Sequence, residues 1–519
     1  MRRLAVSGAG ITVLSSGMGF AIQIISTVVL ARLLTPSDFG LVTMVTTFSL
    51  LLVNFGGNGF TEAVIQWKEI DHALASNLFW INVGVATLLA GGFAASGSLI
   101  ARFYHEPLAA RVAAVLSLTI LVTSTSVLHL ALLNRAMSFH VISANDIAAR
   151  TISVTVAILL AWKGWGYWAL VAGAITTPSV QSIGAWYLCR WIPSFPRRRL
   201  PETAALVRFA MHVYGRFSVD YFARNMDNLL VGWRFSAQSL GFYKKAYDLF
   251  ALSAGQLVSP LSNVAVAALS RLNCDSAKYR RNLLNILTFM AFVGMGLGAN
   301  LTLIGKDVIR LLLGPRWEPA GRIFTFFGPG IGMMFLYYTH GWIHLSIGRA
   351  DRWFRWAVLE FFVTSILFVL ALPWGPVGVA VAWTVSFWIL VVPAFWYAGN
   401  PIKLRVAPLI GAVWKYLLAS LLAASASAII VKRIPTFVAA SGSRGALLRI
   451  VMSSAVFVTL YLGAVVLLYG GRSPLDQVSR LLREMIPWGR LSATFPAVAA
   501  TSGTDASEAV MLTNEKANG

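Results

Sequence analysis

A chain of 519 residues that is 57% hydrophobic and 12% charged, with a mean hydropathy of +0.71, lies far below the roughly 25% charged residues of soluble domains. That composition excludes a large soluble enzyme core and points to a polytopic membrane protein. The net charge of +22 reads as the basic bias of membrane-protein loops rather than a nucleic-acid footprint, because the charges gather at helix ends.

In chain order, apolar runs with short polar breaks mark fourteen candidate spans, a helical pattern and not that of a β-barrel. They lie near 9–31, 39–64, 75–101, 109–133, 141–162, 166–188, 206–233, 240–268, 282–304, 321–346, 354–372, 377–398, 408–431 and 447–470. The opening M-R-R-L imitates a signal peptide, but its long apolar segment and the spans that follow read as a retained first helix. Asn54, Asn58 and Glu62 recur every fourth residue in the second span, and Asp146 and Arg150 are i, i+4 in the fifth. Each set suits either a cavity wall or the capping and snorkelling of a helix end. In the eighth span Lys244 and Asp248 are i, i+4, beside Lys245. Pro260 and the run Gly328-Pro329-Gly330 are expected to interrupt their helices. His340 and His344 are also i, i+4, but no third ligand is near, so they read as core or cavity residues rather than a metal site. The free-thiol reading applies to both cysteines, Cys189 and Cys274. Beyond the spans, 475–486 has the pattern of an interfacial amphipathic helix, and the chain from about 490 onward that of a disordered tail.

The seventh span carries the strongest chemical signal. It reads G-R-F-S-V-D-Y-F-A-R-N-M-D-N-L-L-V-G from Gly215 to Gly232. At about 100° per residue, Arg216, Asp220, Arg224 and Asp227 fall on one stripe about 16 Å long, with Asn228 adjoining it. Each such charge facing lipid at mid-bilayer costs about 2.5–3.5 kcal/mol, so the stripe must face a wet cavity or another polar helix. Internal ion pairs that tie helices together are the alternative to substrate contact.

Lys and Arg favour one set of connections by about two to one, which places both termini in the cytoplasm. The basic, proline-rich break P-S-F-P-R-R-R-L-P-E (193–202) separates two halves with matching motifs. T-P-S-D-F-G (35–40) pairs with S-A-Q-S-L-G (236–241), L-I-A-R (99–102) with L-I-G-K (303–306), and E-P-L-A (106–109) with E-P-A-G (318–321). Both copies start at the same membrane face, so the repeats are parallel. The expected organisation is a six-helix lobe at 1–192, a linker at 193–205, a second six-helix lobe at 206–400, two added helices at 401–471 and a tail at 472–519.

A-R-L-L-T-P-S-D-F-G-L-V, A-V-I-Q (63–66), L-I-A-R-F-Y (99–104), N-M-D-N-L-L-V-G (225–232), L-G-F-Y-K-K-A-Y (240–247) and A-L-S-R-L (268–272) appear in order. They resemble the polysaccharide transporter (Wzx-type) family of the multidrug/oligosaccharidyl-lipid/polysaccharide (MOP) flippase superfamily. The resemblance implies an all-α, MATE-like fold with two lobes around a central cavity, in the bacterial inner membrane. It also implies alternating-access flipping of undecaprenyl-diphosphate-linked oligosaccharide, with polymerase and other assembly proteins as partners. Arg216 and Arg224 then suit the diphosphate, since Arg offers permanent, bidentate contacts to phosphate. Asp220 and Asp227 would hold those arginines or couple an ion; Asn228, Lys244, Arg150 and Asn58 complete the candidate cavity set. No Walker-type loop is present, so ATP hydrolysis is not expected; no large extramembrane segment could hold an enzyme, and no bound cofactor is expected. Coupling to a proton or a sodium gradient stays open. The rival readings are a cation-coupled drug antiporter, which calls for an acidic cavity, and a polysaccharide polymerase, which calls for a large catalytic outer loop.

Overall fold

The computed structural model describes residues 2–57, 60–67, 70–196, 201–272, 275–434, 442–472, 474–476 and 479–480. Residues 1–468 form one compact unit. Sixteen α-helices are described: α1 Arg2–Leu33, α2 Pro36–Gly57, α3 Phe60–Gln66, α4 His72–Ala95, α5 Gly97–Tyr104, α6 Leu108–Arg135, α7 Phe139–Trp162 and α8 Tyr167–Cys189. The chain continues through α9 Pro201–Arg234, α10 Ala237–Arg271, α11 Ser276–Leu313, α12 Glu318–Ser346, α13 Ala350–Ala371, α14 Gly375–Gly399, α15 Ala407–Lys432 and α16 Gly442–Tyr469. Among the described residues, nine segments are long and apolar enough to cross a membrane. The protein is an all-α, multi-pass membrane protein.

Several expectations need correction. The second span is described as α2 to Gly57 and as α3 from Phe60, so the fourfold spacing of Asn54, Asn58 and Glu62 is not followed along one described helix. Asn58 lies outside the described residues, as does the side chain of Glu62; Asn54 donates to the Leu50 carbonyl of its own helix. The third span breaks at Ser96, which separates α4 from α5. The segment read as a linker is shorter than expected, because α9 begins at Pro201. Pro329 does not interrupt α12, which runs through it. Its flanking glycines serve close packing instead: a methyl group at Gly298 of α11 would press on the Gly328 carbonyl, and one at Gly332 would meet Met295. Cys274, Lys68, residues 197–199 and most of the amphipathic segment at 475–486 lie outside the described residues.

Helix starts follow local chemistry. Asp71 caps α4 by accepting the Leu74 amide at 2.7 Å, and Asp275 caps α11 through the amides of Ala277 and Lys278. The Lys278 backbone amide foremost, then its ammonium, holds the Asp275 carboxyl below the usual carboxylate range.

Packing follows the chain. α7 lies on α8 and α1, while α6 packs on α2, α4 and α8; later, α12 packs on α10, α11 and α14. Two helices bridge these groups: α9 touches α2, α3, α4 and α5 as well as α10, α13 and α14, and α10 lies along α2. The α2–α10 contact has a steric cause. Thr35 and Ser236 occupy equivalent positions at the two helix starts, each accepting an amide three residues on, from Asp38 and Ser239. Five residues further in each, the glycines meet reciprocally. A methyl group at Gly40 would overlap the Ala237 carbonyl, and one at Gly241 would overlap the Pro36 carbonyl. Only glycine permits backbone to approach backbone so closely. The same end is locked by Arg32, whose Nη2 donates to the Leu311 carbonyl at 2.6 Å, and by Trp317, whose Nε1 donates to the Ala31 carbonyl at 2.8 Å.

Candidate functional site

Away from the glycine contact, two cavities open among the helices. One, of about 340 Å³, lies among α9, α10, α12, α13 and α14 and has an aromatic wall of Tyr247, Tyr337, Tyr338, Trp353, Trp383 and Phe387. Its polar groups include Arg224, His340, Glu360 and Thr364. The other, of about 620 Å³, lies among α1, α6, α7, α8 and α10 and is lined by Ser15, Ser16, Gln23, Ser143, Asp146, Arg150 and Gln181, with Phe20 and Leu252. Of the helices that line the two cavities, α8, α9, α10 and α12 are not among the nine segments long and apolar enough to cross a membrane, whereas α1, α6, α7, α13 and α14 are. Polar lining lowers the hydropathy of a helix that spans.

The charged stripe divides. Arg224 is exposed at the wall of the aromatic cavity. Asp227, three residues on, turns the other way and is 0% exposed. Its Oδ2 accepts the Tyr243 hydroxyl of α10 at 2.7 Å and the Trp383 indole N–H of α14 at 2.8 Å, while Oδ1 accepts the Asn228 amide. One carboxylate thus ties three helices, satisfying the rule that buried charge needs compensating donors. Asn228 is buried too; its amide nitrogen donates to Asn225 Oδ1 at 3.4 Å. Arg216 and Asp220 are described only as backbone of α9, and their side chains lie outside the description.

Lys244 pairs with Asp248 at 2.8 Å, and Lys245 approaches the same carboxylate at 3.8 Å. The Lys245 ammonium also lies 4.2 Å from the centre of the Phe39 ring on α2, a cation–π contact between α10 and α2. Neither lysine lines either cavity described above. Arg150 does: its Nε donates to Asp146 Oδ2 at 2.7 Å, and Gln181 donates to the other carboxylate oxygen at 2.9 Å. The two cavity arginines, Arg224 and Arg150, therefore stand in separate cavities, one edged by rings and one by hydroxyls and amides. Glu360, Tyr338 and Gln181 were missed by sequence reasoning. Glu360 is the acidic residue within an otherwise apolar stretch of α13, and that isolation was a usable signal.

The comparisons with known proteins agree with this architecture. The family described as polysaccharide biosynthesis protein matches residues 29–322. The succinoglycan biosynthesis transport protein ExoT of Rhizobium meliloti (strain 1021) is 23% identical over 363 residues, covering 69% of this chain and 72% of ExoT. The lipid II flippase MurJ in an inward closed conformation superposes with a TM-score of 0.69 at 15% identity, over 88% of this chain and 98% of that one. An inward-facing MATE family transporter of the MOP superfamily gives a TM-score of 0.60 at 11% identity, over 74% of this chain and 94% of its own. At such identities the two structures establish the fold alone: a MurJ- and MATE-like bundle. The family match, which runs over more than half of the chain, fixes the lineage: this membrane protein belongs to the polysaccharide biosynthesis protein family.

Proposed function

We propose that this protein flips lipid-linked oligosaccharide repeat units, carried on undecaprenyl diphosphate, from the cytoplasmic to the periplasmic leaflet for surface polysaccharide assembly. The observation that carries the proposal is Arg224 on the wall of a cavity enclosed by membrane helices. A permanent cation there matches a diphosphate, and the rings around it match sugar faces. Arg150 and its amide and hydroxyl neighbours supply a second polar surface for the same cargo. Family membership, the transport role named for ExoT and the fold shared with a lipid II flippase support the reading.

In this proposal the fourteen long helices are all spans, both termini are cytoplasmic, and residues 1–192 and 206–400 act as two lobes. The glycine contact between α2 and α10 is then the closed periplasmic end of an inward-facing state. Polymerase and other assembly proteins take over the cargo on the far side. The test is a deletion strain assayed for surface polysaccharide and for lipid-linked repeats trapped in the cytoplasmic leaflet. Loss of the first with accumulation of the second is expected. Normal levels of both, in a strain without a compensating flippase, would sink the proposal.

A further inference from the structure

α12 carries two buried histidines whose ring nitrogens are largely unused. His340 is 3% exposed and His344 is 0% exposed. His340 Nδ1 bonds the Tyr337 carbonyl; a carbonyl only accepts, so Nδ1 carries the hydrogen and Nε2 keeps a bare lone pair. That Nε2, and both ring nitrogens of His344, find no hydrogen-bond partner among the described residues. Each buried polar atom left this way costs about 1–3 kcal/mol. Three in one helical turn is a large cost for a purely structural feature.

The surroundings give the pair a direction. On one side His340 borders the aromatic cavity shared with Arg224 and Glu360. The Tyr337 hydroxyl accepts the Trp356 indole N–H at 2.8 Å and also bonds the Glu360 side chain. On the other side, His344 lies 6.0 Å from His340, ring centre to ring centre, and 5.8 Å from the Tyr397 ring of α14. Arg352 of α13 stacks on that Tyr397 ring at 4.2 Å and donates to its carbonyl at 2.7 Å. Arg349, in the α12–α13 turn, is held by Asp351 at 3.1 Å. From α11, Tyr279 bonds Ser346 at 2.6 Å. From α10, Tyr243 and Tyr247 meet α12 farther along, at Phe327. A proton on His344 is opposed by cationic Arg352, whereas His340 borders the cavity in which Arg224 and Glu360 set opposite charges against each other. Repulsion from Arg352 therefore makes His340 the better resting place for a proton that enters at the helix end.

We propose that His340 and His344 form a proton-binding pair, filled from the α12–α13 turn, whose proton enters the cavity with an anionic diphosphate and balances its charge. In the step itself, a solvent proton adds to the bare ring nitrogen of His344, and the other nitrogen gives up its hydrogen to a water between the rings, which are not hydrogen-bonded to each other. That water passes one of its own protons to the free Nε2 lone pair of His340 and is left unchanged. The inference rests on the cargo reading above. It names the proton as the coupled ion and predicts co-binding with the anion rather than exchange against it.

The test uses the full-length protein in lipid nanodiscs in a weakly buffered medium with a pH-sensitive dye, with undecaprenyl diphosphate as the probe and native mass spectrometry to score binding. The wild type is expected to take up a proton as the probe binds. His340→Gln, compared at probe concentrations that saturate it, is expected to show no uptake; His344→Gln retains uptake at a rate at least about tenfold lower. Uptake in both variants equal to wild type overturns the proposal. Should the wild type not bind the probe, the cargo reading fails instead, and 15N shifts of the labelled histidines decide the proton site by themselves. Titration of either ring between about pH 4 and 9 sustains it, and a pair silent across that range overturns it.

Discussion

At the end where α1 gives way to α2, backbone touches backbone, with Gly40 against Ala237 and Gly241 against Pro36. Elsewhere the bundle leaves two cavities, edged by Arg224 of α9 and Arg150 of α7, to which α10 contributes Tyr247 and Leu252 and α2 none of the lining residues. The contrast lies in side-chain size. Where glycine lines the contact, α2 and α10 meet backbone to backbone; the rings, arginines and amides of the cavities come almost wholly from other helices. Close packing and the polar cavities are thus carried mainly by different elements. Changing one should leave the other readable.

The largest expected effect comes from the closed end. Gly40→Leu combined with Gly241→Leu should reduce surface polysaccharide by at least about a hundredfold, since side chains there collide with carbonyl groups and packing so tight does not yield cheaply. Cysteines placed at Thr35 and Ser236 should become more reactive to a membrane-impermeant thiol reagent in that background. Unchanged reactivity would deny that the glycines form a seal.

Next comes Arg224. Its replacement by alanine should lower output roughly tenfold to a hundredfold while the thermal midpoint of the purified protein stays put, and lysine should restore only part of it because the bidentate fork is lost. Equal, wild-type output from both variants would remove Arg224 from recognition. Asp227 should behave in the opposite way. Asp227→Ala strands the Tyr243 and Trp383 donors, each worth about 1–3 kcal/mol, so unfolding in detergent should shift to lower temperature. A stable Asp227→Ala protein with altered transport would assign this carboxylate to the cargo rather than to the scaffold.

A smaller effect is expected where the last helix docks. Arg449 of α16 grips Asp307 of α11 with Nη2 at 2.6 Å and Nε at 3.0 Å from Oδ1. Arg449→Ala should cost about 3 kcal/mol at most, because the side chains are partly solvated, and should make α16 more open to protease. Transport should fall less than twofold. Smallest of all, Gln181→Ala removes one of two donors to Asp146 and should alter output only when Arg150 is also replaced, which a double-mutant comparison measures.

Much of this arrangement was legible in the residues. The all-α membrane class followed from composition, and the long helices from the apolar runs. The paired motifs T-P-S-D-F-G and S-A-Q-S-L-G pointed to similar local roles, and Thr35 and Ser236 each accept an amide three residues on at a helix start. Angular arithmetic was less informative about the stripe. Arg224 and Asp227 differ by only about 60° on a helical wheel, yet one meets a cavity and the other three helices' worth of donors. Helical angle fixes a direction but not what lies in it. That depends on α10 and α14, which are remote in sequence. The glycines at 40 and 241 looked ordinary for the same reason as Asp227: their role exists only once the partner helix is beside them.

The Asp227 junction has a mechanical consequence. A carboxylate that holds Tyr243 and Trp383 through a single oxygen leaves α9, α10 and α14 no slack relative to one another at that level. Those three helices also supply Arg224, Tyr247 and Phe387 to one cavity. Any large motion of this region must carry them as a single lever. The cavity's mouth can then swing while the spacing of its binding groups is preserved, much as a gripped tool keeps its shape when the wrist turns.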